Sequence, residues 1–140
     1  MRAMLEDKDA IRELLAEYCF RLDGYRLREL GELFTDGGEW VSRNGRATGP
    51  AQIEALLTSI VPPPAAGTRR KHFTTNIIIR LDGDDASVIS NFLVILDKAA
   101  GPTPTVAGTY EDVVVRHGGA WKFRSRVLSH DIAGDNGLLR

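Results

Sequence analysis

Two places in the sequence offer acid–base chemistry: a histidine at the head of a strand-like run and a carboxylate at the end of a helix-like one. In Lys71-His72-Phe73-Thr74-Thr75-Asn76-Ile77-Ile78-Ile79-Arg80-Leu81 the β-branched content predicts a long strand, closed by the turn signal Asp82-Gly83-Asp84-Asp85. Alternation puts Phe73, Thr75, Ile77, Ile79 and Leu81 on an apolar face. It puts His72, Thr74, Asn76, Ile78 and Arg80 on a mixed, mostly polar one. A His, a Thr and an Asn on one sheet face can line a cavity with hydrogen-bonding groups. An imidazole, with an unperturbed pKa of about 6.5, suits both base and acid roles near neutrality. Upstream, Ile11, Leu14, Leu15, Tyr18 and Leu22 recur at the spacing of a buried helical stripe and predict a helix over residues 6–23. Tyr18 lies in the middle of the stripe, so its buried hydroxyl needs a partner. Asp23 ends the helix before Gly24, a fitting C-cap. A carboxylate there faces the negative end of the helix dipole, a small cost that hints at a role other than helix stability.

These residues must be positioned by the elements around them. Leu27, Leu30, Leu33 and Phe34 predict a short second helix over residues 25–34, ended by Thr35-Asp36-Gly37-Gly38. Glu39 to Ser42 and Arg46 to Thr48 read as a hairpin about Asn44-Gly45. Gly49-Pro50 opens a third helix with the stripe Ile53, Leu56, Leu57 and Ile60, stopped by Pro62-Pro63-Pro64. The loop 62–70 is expected to be a mobile lid or rim. After it come strands over 71–81, 86–97, 105–116 and 120–130, with a Gly-Pro loop near 100–104 and a turn at His117-Gly118-Gly119. A tail from Asp131 shows no periodicity and is expected to be partly disordered. Three helices followed by long antiparallel strands are an α+β layout. In the strand 86–97, Ala86, Val88, Phe92, Val94 and Leu96 share one face and Ile89, Leu93 and Ile95 the other. Both faces are apolar, so both should be covered. The helices can cover one; the other predicts a homo-oligomer, a dimer or trimer, packed through the sheet.

At 140 residues the chain reads as one domain, with an ordered core over about 6–132. An apolar share of 43% and a charged share of 26% are ordinary for a globular chain. A formal charge of -1 offers no electrostatic footprint for nucleic acid or an anionic membrane. No apolar run reaches the roughly 18 residues of a membrane span. The charged start, Met1-Arg2-Ala3-Met4-Leu5-Glu6-Asp7, has no signal-peptide core. The single cysteine, Cys19, reads as a small buried hydrophobe and points to a reducing cytoplasm. Cys-cluster metal sites are excluded, and the three His show no close ligand spacing.

Several local strings resemble the SnoaL-like, polyketide-cyclase-like branch of the nuclear transport factor 2-like superfamily. They are Tyr18 with Asp23, Leu33-Phe34-Thr35-Asp36-Gly37 with Trp40, Gly49, His72 with Asn76, Gly108-Thr109-Tyr110-Glu111-Asp112, and Trp121-Lys122-Phe123-Arg124-Ser125-Arg126. The resemblance covers residues 6–132. It implies a cone: a curved, mixed or antiparallel sheet wrapped around the N-terminal helices and enclosing an apolar pocket, the cystatin-like α+β roll. Dehydratases of that branch place a Tyr, an Asp and a His in the pocket, and Tyr18, Asp23 and His72 match them. In bile acid dehydratases an Arg on the last strand also belongs to the site, and Arg126 matches it. Trp40, Asn76, Tyr110 and Arg126 are read as substrate-binding. Dioxygenase small subunits share the fold without catalysing the reaction.

The resemblance thus implies a cofactor-independent lyase or isomerase, dehydratase-like, acting on a hydrophobic carbonyl compound such as a steroid-like or polyketide-like one. In it His72 is base and acid, Asp23 orients the imidazole and stabilises its charged form, and Tyr18 donates to the developing oxyanion. Asn76 would hold a substrate oxygen and Arg126 an anionic group; no metal or organic cofactor is required. The rival readings are a non-catalytic binding or accessory subunit and an aldol-type polyketide cyclase, which the same residues could serve. Strict alternation places Arg126 opposite Trp121 and Phe123 unless a bulge intervenes. Asp112 reads equally as a pocket group or a cross-strand partner. His117 and His130 read as surface residues.

Overall fold

The stripe Ile11, Leu14, Leu15, Tyr18 and Leu22 is the buried side of the first helix, α1 (Arg2–Asp23), in the computed structural model, which describes residues 2–134 and 138. The helix ends at Asp23 as expected, but the left-handed closing residue lies one position beyond Gly24. Gly24 N–H still reaches the Phe20 carbonyl at 2.9 Å, and the left-handed position is Tyr25, at φ 58. Arg26 N–H then bonds back to the Arg21 carbonyl at 2.8 Å, the wider of the two bonds that close such a helix end. There follow α2 (Leu27–Gly31), β1 (Phe34–Ser42), β2 (Gly45–Thr48), α3 (Pro50–Ile60), β3 (Arg70–Asp82), β4 (Asp85–Lys98), β5 (Gly101–His117) and β6 (Ala120–Ala133).

The six strands form one curled, unclosed mixed sheet in the order β2-β1-β6-β5-β4-β3. Only β1 and β6 run parallel; every other neighbouring pair is antiparallel. The α+β layout is therefore as expected, with four boundary differences. The second helix, expected over residues 25–34, spans only Leu27–Gly31, because Phe34 is already paired in the sheet. Thr35-Asp36-Gly37-Gly38 is part of β1 rather than a turn, because Phe34 pairs with Phe123. The Gly-Pro segment near 100–104 opens β5 rather than forming a loop. Pro102 and Pro104 are tolerated there because β6 pairs with β5 only as far as Val106, so the prolines lie where that side of β5 has no neighbour. β6 runs on through Asp131 to Ala133; of the remaining tail only Gly134 and Leu138 are among the described residues.

Two bulges decide which side chains face the helices. In β3 the register with β4 shifts between Thr75 and Ile78, and Asn76 adopts φ 56, a left-handed conformation that Asn tolerates better than most residues. The two faces exchange at that point. His72 and Thr74 face inward before it, opposite the buried Val94 and Phe92; Ile79 and Leu81 face inward after it, opposite the buried Val88 and Ala86. Phe73, expected on the same face as Ile79, lies on the other side with Ile78, and both are exposed. In β6, Val113 pairs with Ser125 but Val114 with Phe123, so Arg124 is the extra residue. Trp121, Phe123 and Arg126 all point inward as a result, although strict alternation sets them apart.

Two glycines are demanded by close approach. At Gly49, φ is 85 and a Cβ would meet the Asp36 carbonyl at 2.8 Å just before α3 begins. At Gly108 a Cβ would collide with the Ser129 carbonyl and the Phe92 ring, and its absence lets Phe92 stack on Tyr110 with centroids 4.4 Å apart.

Candidate functional site

The inner side of the curled sheet and the inner side of α1 meet over a narrow cavity of about 50 Å³. Its apolar wall includes Leu22, Leu57, Ile60, Phe92, Val94, Val106 and Leu128, and Leu138 from the chain end also lines it. Its polar groups are Tyr18, Trp40, Asn44, Arg70, His72, Tyr110 and His130. A cavity of that size holds a few waters, well short of the roughly 300 Å³ and more of a typical ligand pocket.

Asp23 and His72 form the tightest polar unit. The His72 backbone N–H donates to Asp23 Oδ2 at 2.8 Å, and His72 Nδ1 lies 2.6 Å from Asp23 Oδ1. A carboxylate only accepts, so Nδ1 carries the hydrogen and in the neutral ring Nε2 keeps the lone pair. The last residue of α1 thereby clamps both the backbone and the ring orientation of the first inward residue of β3. This offsets the unfavourable dipole position read from the sequence. One turn back along α1, Cys19 Sγ and Thr74 Oγ1 lie 3.3 Å apart, a second tie between the same two elements.

Tyr18 is wholly buried, with Trp40 Nε1–H donating to its hydroxyl oxygen at 2.8 Å. The partner that its burial required is thus on β1. Because Trp40 only donates, the Tyr18 proton is not used by that bond. Burial pushes the Tyr18 phenol up to about 12, against a lowering by the Arg126 charge and the Trp40 bond. Burial likewise pushes Tyr110 well above the ordinary tyrosine value. Tyr18 is therefore a proton donor across the neutral range. The linkage sign follows: a folded value raised above the unfolded one of about 10 favours the folded state below pH 10 and is lost as pH rises toward 12. In an alkaline titration Tyr18 and Tyr110 should yield no phenolate absorbance while the fold persists, and stability should fall above about pH 10. Ionisation of all three tyrosines with the native circular dichroism intact would contradict this burial.

Arg126 lies behind that ring rather than in the cavity lining. It is wholly buried and forks onto Asp112, with Nε to Oδ1 at 2.8 Å and Nη2 to Oδ2 at 3.1 Å. Its guanidinium carbon sits 3.5 Å from the Tyr110 ring centroid, 4.2 Å from that of Tyr18 and 4.6 Å from that of Phe123. Burial alone would lower the Arg126 pKa, but the Asp112 carboxylate beside it reverses the sign and keeps it raised. Burial pushes the Asp112 carboxyl up, and Arg126 opposes that with its charge and two donated bonds. Asp112 is thus a cross-strand partner, since it pairs with Arg126 in the β5–β6 register.

The structure therefore brings Tyr18, Trp40, His72 and Tyr110 to one cavity, with Asp23 bonded to His72. It does not bring Arg126 or Asn76 there. Arg126 is taken up by Asp112, and Asn76 is an exposed bulge residue whose side-chain oxygen accepts from Thr75 Oγ1 at 2.7 Å. His117 is exposed as expected, but His130 is not a surface residue. It is half-buried, lines the cavity and meets the Phe92 ring edge-on, with centroids 6.1 Å apart. Burial lowers its pKa, helped by the charge of Arg43, and its Nδ1 has no hydrogen-bond partner among the described residues. His130 shares the parity of Arg126 and Leu128 on β6, so its inward side follows only from the register shift at Arg124 and not from alternation. Arg70, read as part of the rim loop, opens β3 and also lines the cavity.

Among the described residues no group of three or more His, Cys, Asp and Glu could hold a metal ion, and no helix is long and apolar enough to cross a membrane.

Helices followed by a curled, unclosed mixed sheet are the architecture of the nuclear transport factor 2-like, cystatin-like class of α+β proteins. Within that class the chain belongs to the SnoaL-like domain family, whose model matches residues 3–127. The family includes polyketide cyclases and dehydratases. Solved structures agree on the fold. ActVI-ORFA from Streptomyces coelicolor is 24% identical, with a TM-score of 0.80, over 89% of this chain and 96% of that one. A protein provisionally called a scytalone dehydratase, from Novosphingobium aromaticivorans, is 27% identical, with a TM-score of 0.80, over 96% and 91%. A nuclear transport factor 2-like protein with a cystatin-like fold from the same organism is 22% identical, with a TM-score of 0.82, over 96% and 88%. A comparison with curated proteins finds no match.

Proposed function

We propose that this chain is a cofactor-independent lyase or isomerase that removes a proton from carbon next to a carbonyl group in a hydrophobic small molecule. The observation that carries the reading is the pairing of two preorganised groups at one cavity: an imidazole held by Asp23, and a phenol whose oxygen is already bonded to Trp40 and whose proton remains available. In the dehydration direction, His72 Nε2 takes the proton from the carbon α to the carbonyl. The electron pair moves into an enolate whose oxygen accepts from the Tyr18 hydroxyl. The bond from the β carbon to its hydroxyl oxygen then breaks, that oxygen takes the proton back from the imidazolium, and an enone and water leave. Asp23 stabilises the imidazolium between the two transfers. From a β,γ-unsaturated ketone the same α-proton abstraction gives a dienolate, and returning the proton from the imidazolium to its γ carbon moves the double bond into conjugation.

The first half of this reaction can be tested without the natural substrate. In deuterated water the protein should exchange the α protons of cyclic β-hydroxy ketones, followed by NMR, and His72→Ala should lose the exchange. Exchange that persists in His72→Ala at the wild-type rate would remove the proposal. The small volume of the cavity favours a second reading, an accessory subunit without turnover. In that case no ketone is exchanged by the wild type, and the Asp23–His72 and Tyr18–Trp40 bonds serve folding alone.

The outer side of the sheet supports assembly. Ile78, Ile89 and Val127 lie on one exposed row across β3, β4 and β6, with Glu111 of β5 between the last two. Phe73, Leu93 and Ile132 lie on a second exposed row. A second copy packed on this face would cover both rows. Light scattering should show a dimer or trimer that Ile89→Lys converts to monomer; a monomeric wild type at high concentration rules this out.

A further inference from the structure

Among the described residues, Ser90 Oγ, Arg126 Nη1, Tyr110 Oη and His130 Nδ1 are buried without a hydrogen-bond partner. A buried polar atom left unpaired is costly, so each calls for an explanation. Ser90 and Arg126 do not line the cavity; Tyr110 and His130 do. Phe92 stands between these two. The Tyr110 ring stacks on it with centroids 4.4 Å apart, and the His130 ring meets it edge-on at 6.1 Å. Gly108 leaves the room for this, since a Cβ there would lie 2.5 Å from the Phe92 ring. The β5–β6 register shifts at the same level: Thr109 pairs with Ser129 but Ala107 with Ile132, so β6 carries one residue more than β5 around His130. A bulge of this kind re-aims side chains. Packing thus accounts for both rings and for neither polar atom.

We infer that Tyr110 Oη and His130 Nδ1 form the seat of a substrate hydroxyl, the one that leaves in dehydration. The inference rests on the proposed chemistry of His72 and Tyr18 for what happens at the carbonyl end. An alcohol suits this pair because it both accepts and donates. Its oxygen accepts from the Tyr110 O–H, and its own hydrogen goes to the Nδ1 lone pair. A carbonyl oxygen only accepts, so it would leave that lone pair unpaired. The protonation states agree. Burial keeps Tyr110 protonated and therefore a donor. Burial, and then the Arg43 charge, lower the His130 pKa against the opposing Asp131, so the ring is neutral and keeps a lone pair. The alcohol oxygen has one further lone pair, which receives the proton returned by the His72 imidazolium as the carbon–oxygen bond breaks. The seat therefore holds the leaving oxygen and adds no proton transfer of its own.

The probes are 3-hydroxycyclohexanone and cyclohexanone, which differ by the hydroxyl alone, each titrated by calorimetry into the full chain carrying His72→Ala, so that no turnover intervenes. The hydroxy ketone should bind at least about tenfold more tightly, because the ketone leaves two buried polar atoms unpaired. Adding His130→Leu should bring the ratio close to one. Adding His130→Asn instead, whose amide sets a polar atom near the Nδ1 position, should restore much of it, which a merely structural role would not do. Tyr110→Phe should also reduce the ratio. It removes a hydroxyl that bonds nothing among the described residues, so its urea midpoint should not fall, and it keeps the test open should His130→Leu fold poorly. Equal affinity for the two probes, no binding of either, or a ratio unchanged by His130→Leu or by Tyr110→Phe would overturn the seat. The catalytic reading is separated by α-proton exchange of cyclohexanone with the wild type. Exchange without a hydroxyl preference ends the seat alone, and a preference without exchange ends the catalytic reading alone.

Discussion

In His72→Ala, α-proton exchange and any dehydration should fall by about 10²–10⁴-fold, the range for losing a positioned general acid–base group. His72 is the one imidazole at the cavity held by a carboxylate, and its replacement leaves the Asp23 bond to the residue 72 backbone N–H in place. The fold should therefore persist, and the loss should appear in kcat rather than in the unfolding midpoint. Asp23→Asn separates orientation from charge. Asp23 presents one oxygen to the backbone N–H and the other to Nδ1–H. An amide has a single acceptor oxygen, so one of the two donors must face an NH₂ group or turn away. Activity should drop by about 10²-fold, because the imidazolium loses its countercharge and the ring its fixed tautomer. Tyr18→Phe should cost about 10²–10³-fold by removing the enolate donor. It also leaves the buried Trp40 N–H unpartnered, a further stability cost of about 1–3 kcal/mol. Wild-type turnover in both His72→Ala and Tyr18→Phe would end the catalytic reading.

The largest stability effects should come from the Arg126–Asp112 pair. Removing one member of a buried, forked ion pair typically costs about 3–5 kcal/mol, because the other charge is left in apolar surroundings. The two single variants should differ in their pH dependence. In Arg126→Met the remaining Asp112 carboxyl, already pushed up by burial, loses the charge that opposed the rise. A carboxyl whose folded value lies above its unfolded one favours the folded state at low pH, and that contribution disappears as pH rises through the folded value. Arg126→Met should therefore be closest to wild type in acid and progressively worse toward neutrality. In Asp112→Asn the guanidinium cannot shed its charge, so the cost should stay flat across the same range. The double variant Arg126→Met with Asp112→Leu should be more stable than either single one. Urea unfolding of the four proteins at several pH values measures all of this; additive single-variant losses would show that the pair is not coupled. Because Arg126 stacks on the Tyr18 and Tyr110 rings, the double variant should also impair turnover while restoring the fold.

Much of the architecture is written in residue spacing. The α1 stripe, the proline-opened α3 and the hairpin around Asn44-Gly45 are local patterns, decided by propensity and periodicity over a few residues. The long strands are equally local, and their order along the chain already implied an α+β fold. Tyr18, Asp23 and His72 could be singled out because each breaks a local expectation: a hydroxyl inside an apolar stripe, a carboxylate at the wrong end of a dipole, an imidazole heading a strand. The family strings then joined them.

What the sequence could not decide is which way several side chains point, because side-chain direction in a strand depends on parity, and one inserted residue reverses it. The bulge at Asn76 turns Phe73 outward while Ile79 stays inside, and the extra residue Arg124 turns Arg126 inward beside Phe123. A bulge is set by the partner strand, so nothing in the bulged strand alone fixes its position. The same holds for His130, whose inward face follows from β6 pairing with β5, and for Arg126, which is consumed by a cross-strand Asp112. By itself the sequence determined the elements, the fold and the three polar residues of the candidate site. Only the tertiary structure decided which neighbours those residues meet and how little space they enclose, because those depend on register between segments far apart in the chain.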